Sequence, residues 1–185
     1  FDDLPQQIGN DAIEILLAPV CPTGAMDVVI GPAQMVLQVH ESIGHALELD
    51  RILGDERNYA GTSFVKIDDF GSLSWGPEIL NVVIDPTVEG EVCSAGFDDE
   101  GLEAKKIHLI EKGVLRRGIG GALSAQRLSR PEDAIAVSRA CSWNRPPIDR
   151  MANLNVEPGD TSLDDLIAAV ENGVWLDANS SWSID

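Results

Sequence analysis

Six residues, His40-Glu41-Ser42-Ile43-Gly44-His45, place two of the chain's three histidines and a carboxylate inside one stretch of helical character. That stretch runs from Pro32, a favourable first helical residue, to Gly54, with no other proline inside it and with Met35, Val36, Val39, Ile43, Leu47 and Leu49 near helical spacing. Neutral imidazoles are good zinc ligands and an adjacent glutamate is a good base. The pattern therefore points to a metal site, with His40 and His45 as zinc ligands and Glu41 as general base toward a zinc-bound water. The spacing is the constraint. A step of four residues turns ~400° and stacks two side chains on one face, whereas a step of five turns ~500° and leaves them roughly 140° apart. His40 and His45 can share one ion only if the helix widens between Val39 and Leu47 through an i to i+5 turn, or stops at Gly44. Gly44, directly before His45, is the residue best able to permit that distortion.

Around this helix the sequence predicts a mixed fold. DAIEILL at 11–17 reads as a strand, followed by a Pro/Gly turn and a second strand containing Val28, Val29 and Ile30, together a hairpin. From Tyr59 to Val92, short apolar runs such as SFVKI and ILNVVIDP alternate with turn-forming DDFGS, WGPE and TVEGE, the pattern of a β meander. KKIHLIEKGVLRRGI predicts a hairpin with Gly113 as the positive-φ residue of a bulge. Residues 121–150, with Pro131, Pro146 and Pro147, read as mostly loop. Ser162 is placed to cap a short helix over 162–172, with Asp164 and Asp165 at its positive end and Gly173 ending it. The closing VWLDANSSWSID alternates like a half-buried strand. The fold class that results is α+β: one long motif-bearing helix packed on a largely antiparallel sheet, plus the short helix near 162–172.

Charge narrows the partners. Against 31 acidic residues stand 13 Lys and Arg, a net charge of -18 that repels a phosphate backbone or an anionic lipid surface. Nucleic acid and membrane are excluded as expected partners, and no apolar run reaches the ~20 residues of a membrane span. Cys21, Cys93 and Cys141 form no CxxC pair and are too few for a disulfide framework, so a reducing cytoplasm is expected. The chain opens at Phe1 without a methionine and closes on SSWSID, which reads as a segment of a longer protein. Asp98-Asp99-Glu100-Gly101 lacks the alternating oxygens of a calcium loop and reads as a turn. Trp75, Trp143, Trp175 and Trp182 read as packing residues.

Several segments carry a resemblance. HESIGHALELDR at 40–51, GTSF at 61–64, FDDEG at 97–101, LIEKGVL at 109–115, RMANLNVEPGDTSLDDLIAAVENGVWL at 150–176 and SSWSID at 180–185 resemble, in order, the TldD/PmbA metallopeptidases, also called modulators of DNA gyrase. The resemblance implies a zinc-dependent endo- or carboxypeptidase acting on linear or unfolded peptides, including leader peptides of modified peptide antibiotics. It implies a TldD-type catalytic subunit, since that type carries HExxxH, with His40 and His45 as zinc ligands and Glu41 as base. A PmbA/TldE-type partner subunit or a homo-oligomer is implied as well. The family's third ligand, a cysteine in a Gly-rich C-terminal segment, matches no cysteine here, and the family's N-terminal domain would precede Phe1. The chain is thus expected to be the central segment of the enzyme, with residues 1–185 forming part of the metallopeptidase domain. Arg150 is a candidate substrate-carboxylate ligand; Ala152 departs from the threonine usual in that stretch. The rival readings are a non-catalytic peptide-binding or partner module, against which the intact His40, Glu41 and His45 argue, and modulation of DNA, against which the charge argues.

Overall fold

The computed structural model describes residues 3–179 and 181–182. The chain opens with helix α1 (Leu4–Leu17), none of whose residues is buried. Residues 11–17 are therefore helical and not the strand expected. The alternation of Ile13, Glu14 and Ile15 has period two, but no described partner strand or core accepts it. Strand β1 (Asp27–Ile30) follows, and then the motif-bearing helix in pieces. These are α2 (Pro32–Val39), a π-helical turn (His40–Gly44), α3 (His45–Leu47) and α4 (Leu49–Leu53). Glu48 breaks the run with an extended ψ of 121°, and Gly54 closes it in the left-handed conformation at φ 87°.

Of the 59–92 meander only β2 (Val82–Ile84) is a strand; the rest is turns and a 3₁₀ turn at Ile67–Asp69. Strand β3 (Ile107–Glu111) and β4 (Val114–Leu115) form the expected hairpin. Lys112 and Gly113 both have positive φ, 49° and 74°. This is the signature of a two-residue type I′ turn, so no bulge is needed. The stretch 121–150 is more ordered than a loop: it holds α5 (Ala122–Arg127) and the paired strands β5 (Ser138–Arg139) and β6 (Ile148–Asp149). Strand β7 (Leu154–Val156), helix α6 (Leu163–Ala168) and β8 (Gly173–Leu176) complete the order. Ser162 caps α6 as expected, its Oγ accepting the Asp165 N–H at 3.1 Å, but the helix ends four residues earlier than its pattern and Gly173 opens β8 instead. The expected closing strand stops at Leu176; Ser180 and residues 183–185 lie outside the described residues.

The main sheet is antiparallel, in the order β4-β3-β2-β7. Strand β1 does not form the expected hairpin. It pairs in parallel with β8, Val29 opposite Trp175, about as far along the chain as a partner can lie. Val82, Val83 and Ile84 are all buried, as a central strand covered on both faces requires. Ile43 and Leu47 from the helix meet Val82, Ile84, Leu109, Ile110, Leu115, Ile119 and Met151 in one core. Each such side chain contributes about 1.5–3 kcal/mol by leaving water. No described helix is long and apolar enough to cross a membrane.

A buried polar network ties the helix to this frame. Asp149 accepts from the Gly121 N–H at 2.8 Å, the Asp50 N–H at 3.2 Å and the Ser124 hydroxyl at 2.5 Å, joining β6, α5 and α4. Asp50 faces Arg150 Nη1 at 3.3 Å, while its second oxygen is buried without a partner. Burial, with Asp149 and Glu48 adding repulsion, pushes Asp50 up to about 7, and Arg150 only partly offsets this. The native state thus holds this proton more tightly than the unfolded chain. The stability Asp50 contributes is in place below about pH 4 and is lost as pH rises toward 7. Asp50→Asn has no proton to lose. Its stability relative to wild type is expected to rise by on the order of 1–3 kcal/mol between about pH 4.5 and pH 8 in urea titrations. Parallel pH profiles for the two proteins would contradict this assignment.

Candidate metal centre

The π-helical turn does what the histidine spacing demands. The His45 amide donates to the His40 carbonyl, a bond across five residues, so the helix holds one residue more than a regular turn. Val39, Ile43 and Leu47 can then all face the core while His40 and His45 emerge together on the other side. Their Nε2 atoms lie 3.0 Å apart, with ring centroids 4.6 Å apart and planes at 87°. One ligand atom each from His40, Glu41 and His45 falls within 4.8 Å of the others. This is the only group of three or more such side chains among the described residues.

Gly44 has a role other than the one expected. Its φ and ψ of -55° and -65° are ordinary helical values, so it supplies no special conformation. A Cβ there would stand 1.8 Å from Met151 Sδ. Glycine is needed because Met151, buried in the core, packs directly against the turn.

Beneath His45 lies a carboxylate. Glu48, fully buried, takes His45 Nδ1 at 2.8 Å and Arg51 Nε at 2.9 Å on the same oxygen, and Arg51 is anchored in turn to the Ala60 carbonyl at 2.9 Å. His40 is exposed on its outer side, yet the desolvation of its inner side and the neighbouring His45 hold its imidazole below the ordinary histidine value. A depressed value favours the neutral ring, the form that binds metal. The donor set fits zinc: two imidazole nitrogens on a tetrahedral ion at ~2.0–2.1 Å lie about 3.3 Å apart, close to the separation found.

Arg150, the remaining expected site residue, is engaged by other groups. Arg150 donates to Asp50 at 3.3 Å and to the Asp149 carbonyl at 2.6 Å, and pairs with Glu56 at 3.8 Å. Its guanidinium is engaged by these acids and is not brought to the histidine pair. His108 lies on β3 against Glu157 at 3.3 Å. Cys93 shares a groove with His40 but its sulfur faces Arg139, and Cys21 and Cys141 are exposed. The acidic turn is structural: Asp98, Asp99 and Glu100 accept N–H groups from Leu102, Ser138, Ala140 and Ala122, with Asp99 still exposed. Of the tryptophans, Trp75 packs on the core, but Trp143 is exposed. Glu48 and Arg51 went unrecognised in the sequence. The available signal was spacing: Glu48 lies three residues after His45, and Arg51 three after Glu48, positions that neighbour on a helix.

Comparison with known proteins shows what the chain as a whole resembles. Residues 23–184 match the PmbA/TldA metallopeptidase C-terminal domain. The match to a C-terminal domain corrects the expectation of a central segment. A metalloprotease of Methanocaldococcus jannaschii is 31% identical over 183 residues, covering 99% of this chain and 38% of the relative. A protein named zinc metalloprotease TldD homolog, from Saccharolobus solfataricus, is 29% identical over 83% of this chain and 32% of its own length. The chain thus spans under two-fifths of these relatives. Among solved structures, TldE from Thermococcus kodakarensis superposes with a TM-score of 0.71 at 17% identity, over 97% of this chain and 39% of that one, a likeness of fold.

Full-length protein is expected to bind about one zinc per chain by elemental analysis, and a His40→Ala, His45→Ala double variant to lose it. Equal zinc in both proteins would remove the two histidines from the ligand set.

Proposed function

The chain belongs to the PmbA/TldD metallopeptidase family, and from that premise we propose that it carries the metal-binding helix of a zinc-dependent peptidase cleaving linear or unfolded peptides. The observation that carries the reading is the convergence of His40 Nε2 and His45 Nε2 to 3.0 Å with Glu41 beside them. His40 and His45 would hold the zinc, which when bound would supply Lewis acidity toward a scissile carbonyl and a water. Glu41, half-buried at the edge of the pair, takes the proton of the attacking water and passes it to the leaving amine. The third ligand is read as a cysteine contributed from outside this sequence.

The substrate reading has its own support. A groove of about 760 Å³ runs beside His40 between α2 and β7, lined by Met35, Val36, Val39, Leu154 and Val156. Strand β7 is an edge of the sheet. The Asn153 carbonyl and Glu157 amide bond toward β2, accepting from Asp85 and donating to Asn81, each at 2.9 Å. By ladder alternation, the backbone groups of Leu154 and Val156 face away from β2, available to an extended peptide. Leader peptides of modified peptide antibiotics are chains of this kind. A PmbA/TldE-type subunit or a second copy completes the assembly, in a reducing cytoplasm that leaves the three thiols free. Arg150 joins this reading as a substrate ligand only if a peptide carboxylate displaces its acidic partners.

Glu41→Gln keeps size and removes the proton acceptor. Zinc content is expected to stay at the wild-type level while peptide cleavage falls at least about 10²-fold. Near wild-type turnover in this variant would free Glu41 of the role of base, whereas no cleavage by the zinc-loaded wild-type protein would favour the non-catalytic reading.

A further inference from the structure

We propose that Glu48 is the positioning residue of the metal centre, fixing the ring orientation and proton position of His45 so that its Nε2 is the free lone pair aimed at the ion; this rests on the metallopeptidase reading above. A carboxylate with none of its surface in water is costly unless something compensates it, and an apolar side chain would fill the same space without that cost. Glu48 is compensated on one oxygen only: Oε2 receives His45 Nδ1 and Arg51 Nε, while Oε1 is buried with no hydrogen-bond partner. The arrangement is therefore organised toward His45.

The backbone is built to deliver it. Glu48 sits at the break between α3 and α4, where its extended conformation lets Leu49 donate to the Ile119 carbonyl at 2.8 Å and Ile119 donate to the Leu47 carbonyl at 2.7 Å. A continued helix would forgo both bonds. Gly120 on the facing segment admits this approach, since a Cβ there would meet Leu49 Cδ1 at 2.3 Å. The break thus clamps Glu48 between His45 and Arg51 by main-chain bonds on either side.

The proton position follows from the partners. A carboxylate paired with Arg51 can only accept, so the 2.8 Å contact requires a hydrogen on His45 Nδ1. Arg51 Nη2 could donate to Nδ1 only in the opposite tautomer, and at 3.3 Å it is the longer contact, so the 2.8 Å bond to Glu48 sets the hydrogen on Nδ1. With Nδ1 protonated, a neutral His45 presents an unprotonated Nε2, and His40 Nε2 donates to it at 3.0 Å. That is the only hydrogen bond of the His40 ring among the described residues. His45 is the fixed ligand and His40 the adjustable one. Carboxylates that orient metal-bound histidines in this way typically control metal affinity by 10–100-fold.

The test uses metal-free, full-length protein carrying ¹⁵N-labelled histidine, and needs no variant for its first reading. His45 is expected as a single tautomer with the hydrogen on Nδ1; a hydrogen on Nε2 overturns the proposal. Glu48→Gln, near-isosteric and uncharged, is expected to give mixed His45 tautomers and about 10–100-fold weaker zinc binding in chelator competition. A single unchanged tautomer with zinc affinity within about twofold of wild type overturns the positioning role alone. Failure of the wild-type protein to bind zinc overturns the peptidase reading and this proposal together.

Discussion

The amide of His45 bonds to the carbonyl of His40, five residues back, and the functional face of the molecule depends on that bond. Two side chains five apart on a regular helix diverge by roughly 140°. The extra residue held in the π turn absorbs this divergence, and it does so without taking Val39, Ile43 or Leu47 out of the core. Backbone distortions of this kind persist where the surroundings enforce them. Here the enforcement is visible: Met151 fills the space where a Gly44 side chain would stand, and Ile43 and Leu47 are locked into the packing around β2 and β3.

Burial of acidic groups is the second organising feature. A chain with a net charge of -18 places most of its carboxylates in water, yet Glu48, Asp50 and Asp149 are buried together along α4 and β6. Two of them serve main-chain and cationic partners from several elements, and this joins the motif-bearing helix to α5 and β6. The cost shows in Asp50, whose carboxyl is driven up to about 7. Glu48 directs the same chemistry toward His45. Rigidity of the frame and orientation of the His45 ring thus come from neighbouring positions on one broken helix.

Much of the candidate site's geometry was legible in the sequence because it is local: His40, Glu41 and His45 fall within six residues, and the geometric need for a widened turn follows from helix pitch alone. The hairpin at Lys112-Gly113 and the Ser162 cap were legible for the same reason. What escaped is non-local. Strand β1 finds its partner in β8 across most of the chain, so its local neighbours suggested the wrong pairing. Helix α1 shows a misleading alternation because no described core imposes a helical burial period on it. The glycine at 44 looked like a conformational device, whereas its reason is a methionine more than a hundred residues away. That Arg150 pairs with Asp50 and Glu56 in particular could not be read from the sequence, because Asp50 and Glu56 are distant along the chain.

The central claim is that the π turn presents His40 and His45 as a preformed pair for one metal ion. Crystals of zinc-loaded full-length protein, with diffraction measured on either side of the zinc absorption edge, test it most directly. The account predicts a single anomalous peak within about 2.0–2.1 Å of Nε2 of both His40 and His45, with the five-residue backbone bond retained. A regular helix with the two rings apart, or zinc bound without either histidine, would contradict it.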